Sequence, residues 1–529
     1  MFGFSDAFHL TKRIYISALT IFLLQSALSG RAQIDRDGNP VSWNLDRYVL
    51  SSEVWQVQSL LDTQSLIAAD ELTPEDRSTP MRFAYSRAVN YNLTTGGRWT
   101  NLPNGDRIWV LGIESQGAYS IGITFSHFKI PQGAKLYIYS AGREDVIGPL
   151  TSANNRLNQL MTAPPVKGEK IVIEYYEPNA FRGQGEFQIH SYAHAYRDLK
   201  DLSRMLVNPC FKLLDTEDRP EQVDASSSVL MMLVDNGQRI ATGTLLNNSA
   251  QDGTPYVVTS RSAMVGSSAS WVFLFDVVGS SCYQSGATCW NKAVCGAQVL
   301  VSDPESSLAL LKLKGLPRSD WRAYNSGWNL NPLVENGIYT SLQHGGGGPQ
   351  NISTTNTISL DASWNGHPAI AVKYWNEGIT SVGSIGSPLF NEDGKLVGVY
   401  LGGNLSCSGT GADYFSPLSS AWGEFSEYLD SFGTSGSSLT GLYSESGAIN
   451  NNAQMQVYLF PNPAKGSIYV QNDADVAIDR IDFYDGTGRL VYQLRPDVPT
   501  VDISMLPEGL YLLTFHAKDQ VFTSKLLVR

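Results

Sequence analysis

Val229-Leu-Met-Met-Leu-Val234, Leu308-Ala-Leu-Leu-Lys-Leu313, Ala369-Ile-Ala-Val-Lys-Tyr374 and Leu396-Val-Gly-Val-Tyr400 set the fold class of the middle of the chain. Each is a run of five or six mostly apolar residues, too short for a helix, and Gly- or Asn-containing turns separate them. They read as short strands, and their number over about Val207 to Phe432 suits an all-β double barrel. An amphipathic stretch from Trp422 to Phe432 reads as a closing helix.

Upstream, about Ile34 to Leu206 forms another globular unit, with a polar lead and then strands from Trp99 onward. Ile108–Ile113, Ala118–Phe125, Ala134–Tyr139 and Ile171–Tyr176 are separated by turns such as Pro131-Gln-Gly133, which suggests a β-sandwich. Downstream, Gly433 to about Met455 is rich in Ser, Gly and Asn and reads as a flexible linker. The small last unit, from about Val457 to Arg529, has five strand-like runs and the glycine-rich turn Asp485-Gly-Thr-Gly488. The expected division is 1–32, 33–206, 207–432, 433–455 and 456–529.

Composition agrees with an all-β, multidomain chain. The 529 residues exceed one core, and 42% hydrophobic with 17% charged residues is globular rather than disordered. The net charge of −12, with no basic run outside the N-terminus, argues against nucleic-acid binding. Lys12 and Arg13 precede an apolar run from Ile14 to Leu24, and small residues follow up to Ala32. This is the pattern of a signal peptide cleaved after Ala32, and the run is too short to span a membrane.

The five cysteines, Cys210, Cys282, Cys289, Cys295 and Cys407, fit an oxidising destination. The odd count leaves one thiol over. The cluster Cys282-x6-Cys289-x5-Cys295 has no nearby histidine and no Cys-x-x-Cys pair, so a local disulfide is expected there rather than zinc. No metal or cofactor is expected.

The last unit resembles the type A sorting domain of type IX secretion cargo. Phe460-Pro-Asn-Pro463, Ile481-Asp-Phe-Tyr-Asp-Gly-Thr-Gly-Arg-Leu-Val491, Leu506-Pro-Glu-Gly-Leu-Tyr-Leu512 and Lys525-Leu-Leu-Val528 carry the resemblance, in family order. It implies an Ig-like β-sandwich handled by the type IX translocon and sortase machinery. It also implies passage across the outer membrane, then attachment to surface lipopolysaccharide or release.

The middle unit is similar to the lysyl endopeptidase branch of the trypsin-like serine peptidases. The similarity rests on Gly243-Thr-Leu-Leu-Asn-Asn-Ser249 with Tyr256-Val-Val-Thr-Ser260, on Leu308–Leu313 with Tyr324-Asn-Ser-Gly-Trp328, and on Trp375-Asn-Glu-Gly-Ile-Thr380, Gly383-Ser-Ile-Gly-Ser-Pro-Leu-Phe390, Leu396–Gly403 and Ser406-Cys-Ser408. The first unit resembles the propeptide region of the same family through Trp99-x-x-Leu-Pro-x-Gly105, Pro131-x-Gly-Ala-Lys-Leu136, Gly148-Pro149 and Glu174-x-Tyr-Glu-Pro178. The trypsin-like mechanism needs a serine nucleophile, an imidazole base and an orienting carboxylate. At the histidine position stands Ser262, at the aspartate position Ser307, and at the nucleophile position Ile385. None of the three groups remains, so no catalytic residue is assigned. Ala241 and Ala263 likewise replace the two cysteines that bridge beside the family's histidine.

The resemblance further implies that Cys210 pairs with Cys407. Cys282 lacks its family partner, which leaves Cys289 or Cys295 for it. Backbone N–H groups at Gly383 and Ile385 match the oxyanion hole. Ile385 is also expected to make the cleft floor apolar and block it. Asp413 matches the carboxylate that reads a substrate lysine; its alternative is a plain loop carboxylate. The expected function is a secreted, non-catalytic protein with a peptide or protein ligand or a structural role. An active lysyl endopeptidase-like enzyme is the alternative.

Overall fold

The computed structural model describes residues 33–529 except 35, 37, 46–53, 73–76, 156–159, 200–208, 280–289, 432, 445–456, 461, 473–478, 496–499 and 518–519. The expected signal peptide, Cys282 and Cys289 lie outside the described residues, so the expected local cysteine bridge does too. The chain forms two compact units, through Ser444 and from Glu445.

The N-terminal part of the first compact unit is a two-sheet β-sandwich. One sheet has the order Met161–Lys167, Ser120–Lys129, Glu186–Ala195, Ala84–Asn92. The other has the order Trp55–Val57, Arg107–Glu114, Lys170–Glu177, Lys135–Ser140, Val146–Leu150, with Arg98–Asn101 also paired to Arg107–Glu114. Period-two alternation explains why the runs are apolar at nearly every position. Trp109, Leu111, Ile113, Ile171, Ile173 and Tyr175 enter the inter-sheet core with Ile121, Ile123, Phe125 and Phe187. Ile108, Val110 and Val172 point the other way and pack with Tyr137 and Tyr139 beneath Trp43 and Trp55. Phe187 centres the core, its ring 5.6 Å from Trp109, 5.8 Å from Phe125 and 5.5 Å from Tyr175.

The middle of the chain forms two nine-stranded sheets, the trypsin-like double barrel. The first runs Gln33–Ile34, Ala293–Cys295, Val272–Leu274, Val229–Val234, Arg239–Leu246, Tyr256–Ser260, Leu308–Leu313, Ala297–Asp303. The second runs Asn351–Thr355, Tyr339–Gln343, Pro388–Phe390, Leu396–Gly403, Asp413–Pro417, His367–Val372, Ser359–Trp364. The closing helix is Trp422–Leu429, and it buries Phe425 and Leu429.

The sandwich and the first barrel share strands and core. Gln33–Ile34 pairs with Val294 and Ala293, and Met81–Arg82 pairs with Ile240 and Arg239. The six consecutive apolar residues of Val229–Val234 are all buried because both faces of the strand are covered. Leu230, Met232 and Val234 face the barrel core, whereas Met231 and Leu233 belong to the cluster that continues into the sandwich. Phe273 and Val294 divide from Val272, Leu274, Ala293 and Cys295 in the same way. Burying Met231, Leu233, Ile240, Val272, Leu274 and Val277 against the sandwich is worth at most roughly 9–18 kcal/mol, at about 1.5–3 kcal/mol per side chain.

Part of the expected linker is ordered structure. Ser438–Leu439 pairs with Trp328–Asn329, and Leu442–Tyr443 pairs with Tyr324–Asn325. Gly327 permits this approach, since a Cβ there would lie 2.4 Å from the Leu439 carbonyl oxygen.

The C-terminal unit has two sheets. One is Val457–Phe460, Ser467–Asn472, Thr500–Asp502, and the other is Leu490–Leu494, Arg480–Tyr484, Gly509–Ala517, Gln520–Val528. Ile468, Ile481, Phe483, Ile503, Leu513, Phe515 and Leu526 fill its core. At Asp485-Gly-Thr-Gly488 the Asp485 carboxylate accepts from the backbone N–H of Thr487 (2.9 Å) and Arg489 (3.1 Å). Asn462 is tied to the last strand, donating to the Lys525 carbonyl (2.8 Å) and accepting from Leu527 N–H (2.9 Å).

Candidate functional site

Strand register brings the triad-matching positions to one corner of the double barrel. Tyr256–Ser260 pairs with Leu308–Leu313 so that Ser260 stands opposite Leu308. Just beyond this pair, Arg261 N–H donates to the Ser307 carbonyl (2.9 Å). Ser262 is exposed on a single 3-10 turn, its N–H bonded to Ser260 Oγ (3.3 Å). Ser307 is half-buried at φ 59°, a left-handed conformation uncommon for serine.

The loop bearing Ile385 is fastened to the same corner. Thr242 N–H donates to the Ile385 carbonyl (2.9 Å), and Thr242 Oγ1 donates to the Gly383 carbonyl (3.1 Å). Thr259 Oγ1 donates to the Thr242 carbonyl (2.8 Å) and lies 2.1 Å from where a Cβ on Gly386 would sit. At φ +85°, position 386 therefore takes glycine on both counts. Among the described residues, neither the Gly383 nor the Ile385 N–H donates to a protein acceptor.

Ile385 is fully buried, in one apolar cluster with Leu230, Leu245, Val257, Phe273, Ala241 and Ala263. Its side chain thus belongs to the first barrel's core and does not floor the cleft, contrary to the expectation from sequence. The physical reason is transfer from water: burying such a side chain is worth about 1.5–3 kcal/mol. Ser384 and Ser387 are also fully buried. Ser384 Oγ accepts from Ser381 N–H (3.0 Å), and Ser387 Oγ lies 3.5 Å from Ser341 Oγ. His344 is buried too, Nδ1 against the Gly348 carbonyl (3.0 Å), and burial pushes its imidazole down to about 4. It is neutral near pH 7.

Asp413 opens the strand Asp413–Pro417 and is not exposed to solvent. Trp375 Nε1 and Thr380 Oγ1 donate to its Oδ2 (2.7 and 2.8 Å), and the Tyr400 hydroxyl donates to Oδ1 (3.1 Å). The cation at this carboxylate comes from the segment ahead of Met81–Arg82: Arg77 Nη1 is 3.5 Å from Asp413 Oδ1. Burial pushes the Asp413 carboxyl up, and the Trp375 indole, the Arg77 guanidinium and the two hydroxyls oppose that rise.

Sequence reasoning reached Asp413 but missed Arg77, Trp375, Thr380 and Tyr400. Trp375 and Thr380 lie in a run already singled out. Arg77 sits in the polar lead with nothing in its neighbours to mark it. Among the described residues, no group of three or more His, Cys, Asp or Glu side chains is placed to hold a metal ion.

Residues 210–416 match the family model for the lysyl endopeptidase C-terminal domain, and residues 458–529 match that for the secretion system C-terminal sorting domain. The chain carries a lysyl endopeptidase C-terminal domain followed by a type IX sorting domain. A lysyl endopeptidase of Pseudomonas aeruginosa is 23% identical over 366 residues, 63% of this chain and 77% of that protein. Among solved structures, kallikrein-related peptidase 10 in complex with Zn2+ is 15% identical, with a TM-score of 0.31 over 40% of this chain and 98% of that one. The active form of the Rv3671c protease from M. tuberculosis is 16% identical, with a TM-score of 0.29 over 41% and 87%.

Two features follow directly. The sorting domain marks the protein for the type IX secretion machinery and for export across the outer membrane, to the cell surface or the extracellular space. Cys210 and Cys407 form a disulfide with their Cα atoms 5.9 Å apart, closing 197 residues of the peptidase-like domain. Such a bond suits that destination.

Proposed function

We propose that this protein is a non-catalytic homologue of lysyl endopeptidase that binds a basic side chain of a peptide or protein ligand outside the cell. The observation that carries the reading is the burial of Ile385 in the barrel core at the position where the mechanism requires a nucleophile. A hydrocarbon there cannot attack a carbonyl, and the hydroxyls of Ser262 and Ser307 cannot serve as base and orienting carboxylate near neutral pH. The binding role rests on Asp413, a buried carboxylate already holding a guanidinium. In this reading residues 1–32 are a removed signal peptide, and the sorting domain is detached on export. The remainder is then joined to surface lipopolysaccharide or released.

The similarity to a lysyl endopeptidase over 366 residues favours a second reading, an active secreted endopeptidase. A fluorophosphonate probe on the purified secreted chain, with lysyl and arginyl peptide substrates alongside, separates the two. The expected result is no labelled serine and no turnover. A labelled serine that maps near residues 381–387 and accompanies turnover establishes the enzyme instead.

A further inference from the structure

The Asp413 carboxylate is already paired with a cation of this chain. Arg77 stands just ahead of Met81–Arg82, the short strand laid on Arg239–Ile240 of the first barrel. It adopts φ 53°, a left-handed conformation uncommon for a non-glycine residue. Its guanidinium meets three acceptors. Nη1 donates to Thr380 Oγ1 (2.9 Å) and stands 3.5 Å from Asp413 Oδ1, and Nη2 donates to the Leu405 carbonyl (3.1 Å). The Thr380 hydroxyl in turn donates a hydrogen bond to Asp413 Oδ2 (2.8 Å), so the cation is linked to the carboxylate both directly and through that hydroxyl.

We propose that Arg77 is a ligand supplied in cis: it fills the Asp413 pocket, and an external lysyl or arginyl side chain enters only when Arg77 withdraws. The proposal rests on the reading of Asp413 as a pocket for basic side chains. Three observations carry it. A carboxylate with no solvent exposure is costly without a cation, and Arg77 is the cation present. The remaining partners of Asp413, Trp375, Thr380 and Tyr400, are neutral donors. The chain around Arg77 is pinned, since the Pro80 carbonyl accepts from Arg239 Nη1 (3.2 Å) and Met81 Sδ lies 3.4 Å from the Cβ position of Gly347. The shared apolar cluster makes departure of the whole sandwich expensive, so the pocket opens by local movement of Arg77.

The test uses the full secreted chain and N-acetyl-arginine amide as probe, with binding measured by calorimetry. A competitor in cis lowers apparent affinity by the fraction of open pocket. Arg77→Ala is therefore expected to bind the probe at least about tenfold more tightly than the unaltered protein. Arg77→Gln, which keeps length without charge, moves affinity in the same direction and covers the case in which the alanine variant misfolds. Asp413→Asn combined with Arg77→Gln abolishes binding. Equal affinity in the unaltered protein and both Arg77 variants, lost with Asp413→Asn, overturns the plug and leaves the pocket. No binding by any folded variant overturns both.

Discussion

Replacing Ile385 by serine supplies the hydroxyl that the trypsin-like mechanism lacks, yet it is expected to cost stability without gaining activity. Ile385 is fully buried among Leu230, Leu245, Val257 and Phe273. Ile385→Ser removes three carbon atoms, about 2–3 kcal/mol at roughly 0.8 kcal/mol per buried methylene. A residual cavity and a buried hydroxyl add to this, bringing the total to about 3–5 kcal/mol. Unfolding entropy of about 2.1 cal/mol/K per residue over a unit of roughly 400 residues converts that loss into a fall of about 4–6 °C in Tm, provided the unit melts as one. Thermal unfolding followed by tryptophan fluorescence reads the shift, and hydrolysis of a lysyl peptide reads the chemistry. A Tm within about 1 °C of the unaltered protein means that Ile385 does not fill the barrel core. Hydrolysis by the variant means that a base and a carboxylate exist at this corner, which refutes the assignment of Ser262 and Ser307.

Two other perturbations test the packing. His344 ordinarily titrates near 6.5 but is held at about 4 by burial. Between those values the unfolded chain binds a proton that the folded chain refuses, so stability falls as pH drops from 6.5 toward 4. At pH 4.5 this amounts to about 2–3 kcal/mol, and His344→Gln is expected to remove that part of the loss in urea titrations at pH 7 and 4.5. An unchanged pH profile in the variant places the acid sensitivity elsewhere. Producing residues 209–444 without the sandwich uncovers Met231, Leu233, Ile240 and Leu274 together. This fragment is expected to aggregate in size-exclusion chromatography, and a soluble monomer melting with the intact protein contradicts the shared core.

Strand positions were legible because their cause is local. Ile108–Ile113 and Ile171–Tyr176 fall inside the observed Arg107–Glu114 and Lys170–Glu177, and Asp485–Gly488 makes the turn its glycine and aspartate demand. Legibility ended where tertiary contacts decide. The run Val229–Val234 announces a strand, but not that Met231 and Leu233 face a different core from Met232. Ser438–Tyr443, in a Ser- and Gly-rich stretch, becomes two strands because Trp328 and Tyr324 offer backbone edges to it. Arg77 meets Asp413 from 336 positions away in the chain, a pairing no local pattern encodes.

Under the proposed reading, Ala241, Ala263 and Ile385 form one physical set at this corner. A serine nucleophile must present its hydroxyl to the cleft, and a disulfide beside the base occupies space behind it. With alanine at 241 and 263, the region behind the cleft loses two sulfur atoms relative to the family pattern. Ile385 then enters the very cluster that holds both alanines. Cores are close-packed, and an unfilled gap there costs about 24 cal/mol per Å³. An aliphatic side chain turned inward at 385 offsets that loss, whereas serine at the same position does not. On the Asp413 side, the carboxylate is met by one indole, two hydroxyls and a cation. The proposed binding role gives a buried carboxylate with this set of donors a use, which a purely structural role for Asp413 does not.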